Sequence, residues 1–492
     1  MANLEVLLGI AAAVVLIGVL AVRVSVRLGL PSLLLYLGIG ILLGASVLGV
    51  QFSNARLTES LGLAALVLIL VEGGITTRWE AVRPSLGMGI ALSTVAVVVS
   101  IGVVGVALRL LLGLEWRTAF LWGAVLSSTD AAAVFSVLRG VGVSRRLAGV
   151  LELESGMNDA PVVLAVILLA SDDPITWVAP LLVVYELVAG AVIGGALGLA
   201  GAWALRRAAL PSTGLYPLAA IAVCVLAYSG GQFAHASGLL ATYVAALVLG
   251  NADLPHRGGV RSFAEGTGWL AQIGLFVLLG LYVSPPQLID AVVPALIAGL
   301  VLLLLARPLS VVVAATPFRM PWREQAFLSW SGLRGAVPIV LALIALIEGA
   351  PGANALVDVV FVLVVALTLL QGTTLPWVAR LLRVSRASEP QEIEVDAAPL
   401  DELGADLLQV RVPVGSRLQG VYLRELRLPS GAGVSLVVRD GAAFTPTLET
   451  RLRELDQLLV VTTSAARSAA EDRIRAVDRR GRLARWKRDT EP

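Results

Sequence analysis

The sequence predicts an all-α polytopic membrane protein of about thirteen transmembrane helices, two of them interrupted, followed by a small cytoplasmic α/β domain. Three observations predict it. The chain is 57% hydrophobic and 15% charged, with a mean hydropathy of +0.87, which excludes a soluble globular protein. Apolar runs of roughly the 20 residues that cross a bilayer recur from residue 4 to residue 378. Arginines collect in alternate loops between those runs.

In order, the runs lie near 4–22, 30–50, 57–77, 85–112, 117–138, 147–170 and 179–204. They continue near 215–232, 236–251, 268–284, 289–315, 325–347 and 354–378. The first lacks a basic flank and carries Glu5, so it reads as a retained helix rather than a signal peptide. One set of loops holds Arg23 and Arg27; Arg78 and Arg83; Arg139, Arg145 and Arg146; Arg206 and Arg207; Arg257 and Arg261; Arg319 and Arg323. The opposite set holds little beyond Arg56, Arg109 and Arg117, and one of its loops carries Asp172 and Asp173. This asymmetry predicts an N-terminus outside, a C-terminus in the cytoplasm and an inner-membrane location. An odd helix number fits that orientation. The net charge of +2 implies no nucleic-acid partner, and the one cysteine, Cys224 in an apolar span, excludes a disulfide framework or a cysteine metal site.

After Arg386 the composition changes. Residues 386–404 are acidic and rich in Ala and Pro, which predicts a linker. Residues 405–463 alternate like short strands at Leu407 to Val414, Val434 to Arg439 and Gln457 to Val461, with a turn at Asp440-Gly441 and a short helix over Leu418 to Leu426. The tail from residue 464 to 492 reads as an arginine-rich amphipathic helix, solvated rather than resting on lipid headgroups.

Chemistry concentrates where hydrocarbon is expected. The run near 147–170 contains Glu152, Glu154, Ser155, Asn158 and Asp159, and ionisable groups at that depth cost about 3 to 17 kcal/mol each. Ser155 and Asp159 share one helix face, and Glu154 and Asn158 the adjacent one. Small monovalent cations prefer such oxygen ligands. Burial disfavours the bare carboxylate, so a proton and a cation compete for it, which is the minimum chemistry of an exchanger.

Asp130 follows Ser127-Ser128-Thr129 in the preceding span, a run of weak helix formers able to satisfy backbone groups where a helix is interrupted. Ser331-Gly332-Leu333-Arg334-Gly335-Ala336-Val337-Pro338 is the matching irregularity near 325–347, and paired interruptions point to a midplane site in a transporter. Asp159 and Asp130 are therefore the candidate monovalent-cation ligands, whereas Glu154 reads as a structural acid that needs a cation. Arg307 and Arg334 are the two arginines deepest in the spans, and Arg334 sits where broken helix ends meet. Glu72, near a span end, reads first as interfacial and second as an accessory ligand. His235 and His256 lie at membrane boundaries and read as bystanders. Gly190, Gly194 and Gly198 form a stripe for close helix packing, within one protomer or across a dimer.

Several of these strings resemble the cation:proton antiporters of the sodium/proton exchanger branch. They are Ser128-Thr129-Asp130, Glu154-Ser155-Gly156-Met157-Asn158-Asp159, Leu305-Ala306-Arg307-Pro308 and Gly332-Leu333-Arg334-Gly335-Ala336. The resemblance covers residues 1–385. It implies inverted repeats, a homodimer, and a core that moves against a dimerisation scaffold. It further implies that Asp159 binds cation or proton, with Asp130, Thr129 and Ser155 as further ligands, that Asn158 holds the site together, and that Glu154 pairs with Arg307. Relatives with two adjacent aspartates tend to be electrogenic, so Asn158 implies electroneutral exchange.

Residues 405–463 resemble the C-terminal regulatory lobe of potassium-transport proteins (TrkA-C, or RCK) through Val412-Pro413-Val414-Gly415-Ser416, Leu423-Arg424-Glu425-Leu426, Val437-Val438-Arg439-Asp440-Gly441 and Leu455-Asp456-Gln457-Leu458-Leu459-Val460. Where that family often has Pro-Gly-Asp, this chain has Glu454-Leu455-Asp456 after Arg453. No glycine-rich phosphate turn precedes the lobe, so NAD is not expected as a cofactor; a cyclic dinucleotide is the regulator implied by resemblance. The lobe tilts the expected substrate toward potassium over sodium. A channel would need a filter string such as Thr-Val-Gly-Tyr-Gly, which the chain lacks, and no nucleophile–base or metal constellation argues for an enzyme.

Overall fold

The computed structural model describes residues 4–28, 30–44, 54–129, 143–171, 178–283, 285–384, 395–400, 405–413, 415–463 and 465–480. The chain divides into two compact units, Met1–Arg386 and Ala387–Pro492.

The first unit is helical. Its helices are α1 (Leu4–Leu28), α2 (Ser32–Leu43), α3 (Ala55–Thr76), α4 (Leu86–Leu112), α5 (Trp116–Ser127), α6 (Arg145–Ala170), α7 (Ala179–Arg207) and α8 (Leu215–Phe233). Next come α9 (Gly238–Asn251), α10 (Arg257–Tyr282), α11 (Val292–Val301), α12 (Arg307–Ala315), α13 (Trp322–Trp330), α14 (Val337–Ile347) and α15 (Ala353–Leu381). Among the described residues, nine helical segments are long and apolar enough to cross a membrane. The remaining predicted runs are short or broken. α2 and α9 have 12 and 14 residues, α5 stops at Ser127, and residues 331–336 separate α13 from α14. Two interruptions were read from the sequence; residues 331–336 form the second, and at the first α5 ends at Ser127, its continuation past Thr129 lying outside the described residues.

The helices sort into two packed groups. α4, α5, α6 and α11–α15 pack with one another, while α2, α3 and α7–α10 form a second set that meets the first through α3, α6, α9 and α14. The glycine stripe of α7 serves that second set. A Cβ at Gly190 would lie 2.6 Å from the Ser237 carbonyl oxygen, and one at Gly194 2.3 Å from that of Ala241. The stripe thus seats α9 within the protomer, the within-chain alternative of the two left open by the sequence. His235 and His256 occupy left-handed turns, with φ of 49° and 53°, at the start of α9 and α10.

The second unit is a five-stranded antiparallel sheet in the order β1-β2-β5-β3-β4, from β1 (Val395–Leu400), β2 (Ala405–Arg411), β3 (Ala432–Arg439), β4 (Ala442–Phe444) and β5 (Gln457–Thr463). Two sequence readings change here. The stretch expected to be linker contributes β1, because its backbone finds partners along β2, from Val395 opposite Val410 to Leu400 opposite Ala405. The arginine-rich tail forms the expected amphipathic helix along Arg467–Arg480, α17, and its apolar face lies on the sheet. Ala470, Ile474 and Val477 recur at helical spacing and are buried with Leu408, Val410, Leu458 and Val460 of the sheet. The expected helix over 418–426 shrinks to α16 (Leu423–Leu426), held by a reciprocal cap between Tyr422 and Glu425. The departure at 454–456 is accommodated locally. Leu455 takes φ of 65°, the left-handed conformation that a glycine adopts without strain. Fully buried Asp456 then accepts 2.8 Å bonds from Arg439 Nε and Nη2 and from the Arg453 backbone N–H. That hydrogen-bonded carboxylate holds the Arg439 guanidinium still further above its ordinary pKa.

Candidate functional site

The site is built where the two interruptions meet α6. Ser144 caps the N-terminus of α6, accepting from the Leu147 N–H at 3.3 Å. Pro161 lies inside the helix two residues past Asp159, so the Met157 carbonyl loses its i+4 donor close to that carboxylate. At the end of α5, Ser127 Oγ donates to the Gly123 carbonyl at 2.7 Å and to Ser100 Oγ at 3.0 Å. Beyond it, Ser128 and Thr129 are buried and non-helical.

These two residues carry the contacts to α6. Ser128 Oγ donates to Asp159 Oδ1 at 2.9 Å. Asn158 Nδ2 donates to Thr129 Oγ1 at 2.5 Å and to the Thr129 carbonyl at 3.3 Å. Thr129 Oγ1 donates to Glu154 Oε1 at 3.4 Å. The same Glu154 oxygen receives Arg307 Nη1 at 2.5 Å, with both side chains buried. A π-helical turn, Leu302–Ala306, immediately precedes Arg307, a distortion that helices commonly carry at functional positions. Arg307 Nη2 also donates to the Leu328 carbonyl of α13 at 3.3 Å.

The second interruption is joined to the first by Arg334. Its Nη1 donates to the Ser128 carbonyl at the C-terminal end of α5, where a cation offsets the helix dipole. Arg334 is 1% exposed, and Thr368 Oγ1 donates to its carbonyl at 2.9 Å. Only Arg334, of the deep arginines, reaches the interrupted end of α5; Arg307 serves Glu154.

A cavity of about 240 Å³ lies between the two helix groups. Asp159, Ser155 and Thr129 line it, together with Ala336 and Val337 at the start of α14. Glu72, near the C-terminal end of α3 and so near the span end as read from the sequence, lines it as well. α10 comes close to Glu72 there, since a Cβ at Gly268 would lie 2.8 Å from Glu72 Oε2. The cavity reaches Thr76 and Thr77, at the end of the bundle that carries Arg78 and Arg83. Asn158, Glu154, Arg307 and Arg334 lie behind this wall as the network that fixes it. Asp130, the other candidate ligand, falls outside the described residues. Sequence reasoning missed the contributions of α9 and α10, namely Tyr243, Trp269 and Gln272, and noted Glu152 of α6 at membrane depth without giving it a role. An aromatic residue in an apolar helix reads as packing, and no spacing signal distinguishes a lining position.

Gly156, one turn before Asp159, allows the Tyr243 ring against the α6 backbone. A Cβ there would stand 2.4 Å from Tyr243 Cε2 and 2.5 Å from Cζ. Tyr243 is 2% exposed and has little room to retreat. Gly156→Ala is expected to destabilise the protein by about 1–3 kcal/mol through overpacking, read as a lowered unfolding midpoint in detergent.

A carboxylate 6% exposed, lining a cavity and held by the Ser128 hydroxyl, can carry either a proton or a monovalent cation. Interrupted helices meeting at such a group define a secondary transporter. The chain belongs to the sodium/hydrogen exchanger family: the family described as "Sodium/hydrogen exchanger, transmembrane" matches residues 11–381. The TrkA-C domain family matches residues 407–475. Among similar proteins is the K(+)/H(+) antiporter NhaP of Alkalimonas amylolytica, 37% identical over 87% of this chain and 76% of that protein. Another is the K(+)/H(+) antiporter NhaP2 of Shewanella baltica, 33% identical over 91% of this chain and 80% of that protein. The solved structure of the sodium proton antiporter MjNhaP1 from Methanocaldococcus jannaschii superimposes with a TM-score of 0.67. It is 21% identical and covers 78% of this chain and 100% of that one, a likeness of fold.

Proposed function

We propose that this protein exchanges potassium for protons, one for one, across the cytoplasmic membrane, with Asp159 as the alternating carrier. The carrying observation is that Asp159 is buried beside a break in α5 yet lines the cavity. The coupling follows from solvation. A bare carboxylate moved past the hydrophobic barrier pays the full cost of an unpaired charge, whereas a protonated or cation-loaded one is neutral. Only the two loaded forms cross, and each crossing moves the same net charge. Asn158 contributes an amide rather than a second carboxylate, which keeps that count at one. Ser155 and Thr129 supply further oxygens, and Asp130 is proposed as the remaining ligand. Asn158 and the Glu154–Arg307 pair hold the wall, and Glu72 and Arg334 are accessory.

Potassium is favoured by the two curated relatives, both potassium/proton antiporters by name, and by the TrkA-C domain. Sodium is the second reading, favoured by the fold shared with a sodium proton antiporter. The N-terminus is placed outside and the C-terminus in the cytoplasm, so that the C-terminal unit gates residues 1–385 on binding a small ligand such as a cyclic dinucleotide. A homodimer completes the reading. In proteoliposomes, potassium gradients are expected to drive proton movement that persists unchanged when the membrane voltage is clamped. A response to sodium alone would move the substrate to sodium, and currents that track voltage would remove the one-for-one stoichiometry.

A further inference from the structure

Glu152 has no role in the exchange chemistry above, yet it sits on the path to it. It lies three, four and seven residues before Ser155, Gly156 and Asp159, a spacing that puts all four on one helix face. All four line the same cavity. Helix rise puts Glu152 about 10 Å from Asp159 along α6, toward the end that carries Arg146.

Arg261 lies near enough to act on the charge of Glu152 but makes no ion pair with it. Among the described residues no ion pair includes Glu152. Arg261 is tied instead to Glu265 Oε1 and to the Thr76 carbonyl, each at 3.3 Å. The opposite group of helices presents Tyr243, whose ring rests against Gly156 and whose residue is 2% exposed. Thr77 is near enough to influence the Tyr243 hydroxyl, but among the described residues that hydroxyl makes no hydrogen bond of normal geometry. A buried hydroxyl left without a partner lacks a contact that water would have supplied. A carboxylate without an ion pair and an unpartnered hydroxyl lining one cavity make a pair of oxygen donors of the kind a hard cation takes. Gln272 and Glu72 line the cavity as well, adding an amide and a second carboxylate.

We propose that Glu152 and the Tyr243 hydroxyl form a second monovalent-cation site in this cavity, a staging position that loads Asp159. The role assumed for Asp159 rests on the exchange reading; occupancy of the staging site does not. A carboxylate in a narrow cavity raises the local cation concentration without taking part in the step that crosses the barrier. Its loss therefore acts on half-saturation and spares the maximal rate.

Glu152→Gln and Tyr243→Phe are each expected to raise the half-saturating potassium concentration roughly three- to ten-fold in proteoliposomes, with the maximal rate retained. Glu152→Asp is expected to fall between wild type and Glu152→Gln, which a merely structural role would not produce. Binding is read separately with thallium(I) on the purified full-length protein. The Asp159→Asn protein is expected to keep one bound thallium ion and to lose it when Glu152→Gln is added. An unchanged half-saturation in exchanging Glu152→Gln protein, or no thallium bound to the Asp159→Asn protein, overturns the proposal. If wild type fails to exchange either cation, the transport reading fails, and the thallium measurement still decides this site.

Discussion

Replacing Asp159 by Asn abolishes cation-driven proton movement, to the level of empty liposomes, while leaving a folded protein. The geometry supports both halves of this expectation. An amide has the size of the carboxylate, and its oxygen can still accept the bond that Ser128 Oγ makes at 2.9 Å. Steric and hydrogen-bonding costs are therefore small, within about 1 kcal/mol, and the unfolding midpoint should stay within a few degrees of wild type. The chemistry is lost outright. An amide holds no exchangeable proton and neutralises no cation, so the two loaded states that must alternate cannot form. Ser128→Ala provides the contrast: it removes one donor to the carboxylate and should lower the rate without eliminating it. Cation-dependent proton movement above background in Asp159→Asn would transfer the carrier role elsewhere. Asp130 and Glu72 would then be the carboxylates to test.

The membrane architecture was legible because its physics is local. A hydrophobic run announces a span, and Ser127, Ser128 and Thr129 or Gly332 and Gly335 announce a break, without knowledge of what packs nearby. Partner choice was not local. Nothing in composition pairs Glu154 with Arg307 rather than Arg334. The π-turn at Leu302–Ala306 immediately before Arg307 has no signature among its leucines, and the pairing was available only through resemblance. β1 escaped notice for a related reason. Val-Asp-Ala-Ala-Pro-Leu has weak strand propensity and is a strand because β2 offers an edge. α17 was legible as an amphipathic helix, but which surface would cover Ala470, Ile474 and Val477 was not. The lining role of Glu152 depends on how α6 is turned toward α3, α9 and α10, which spacing within one helix does not fix.

Breaking the Glu154–Arg307 pair from one side should be the most destabilising polar change in the membrane unit, at about 3–5 kcal/mol for Glu154→Ala or Arg307→Ala. Glu154 is 2% exposed and Arg307 6%, so neither survivor is rescued by water. Among the described residues, after Glu154→Ala the guanidinium keeps the Leu328 carbonyl at 3.3 Å, and after Arg307→Ala the carboxylate keeps Thr129 at 3.4 Å. Removing both charges should behave differently. Among the described residues, Glu154 Oε2 and Arg307 Nε are buried without hydrogen-bond partners, so the native pair leaves part of its desolvation cost uncompensated. Glu154→Leu with Arg307→Met fills similar volume without that cost and should recover most of the loss, to within about 1 kcal/mol of wild type. Transport should not recover. The pair joins α6 to α12 and, through the Leu328 carbonyl, to α13, while the shared Glu154 oxygen also holds Thr129 beside Asn158. Apolar side chains restore packing but supply no directional contact to keep Thr129 against the Asp159 wall. Unfolding midpoints and proteoliposome exchange, measured on the two single variants and the double variant, separate these effects. A double variant that is as stable as wild type and inactive assigns the pair to positioning the site. One that regains exchange reduces it to a stability element, and one as unstable as the singles shows that its charges stabilise the fold beyond what packing can replace.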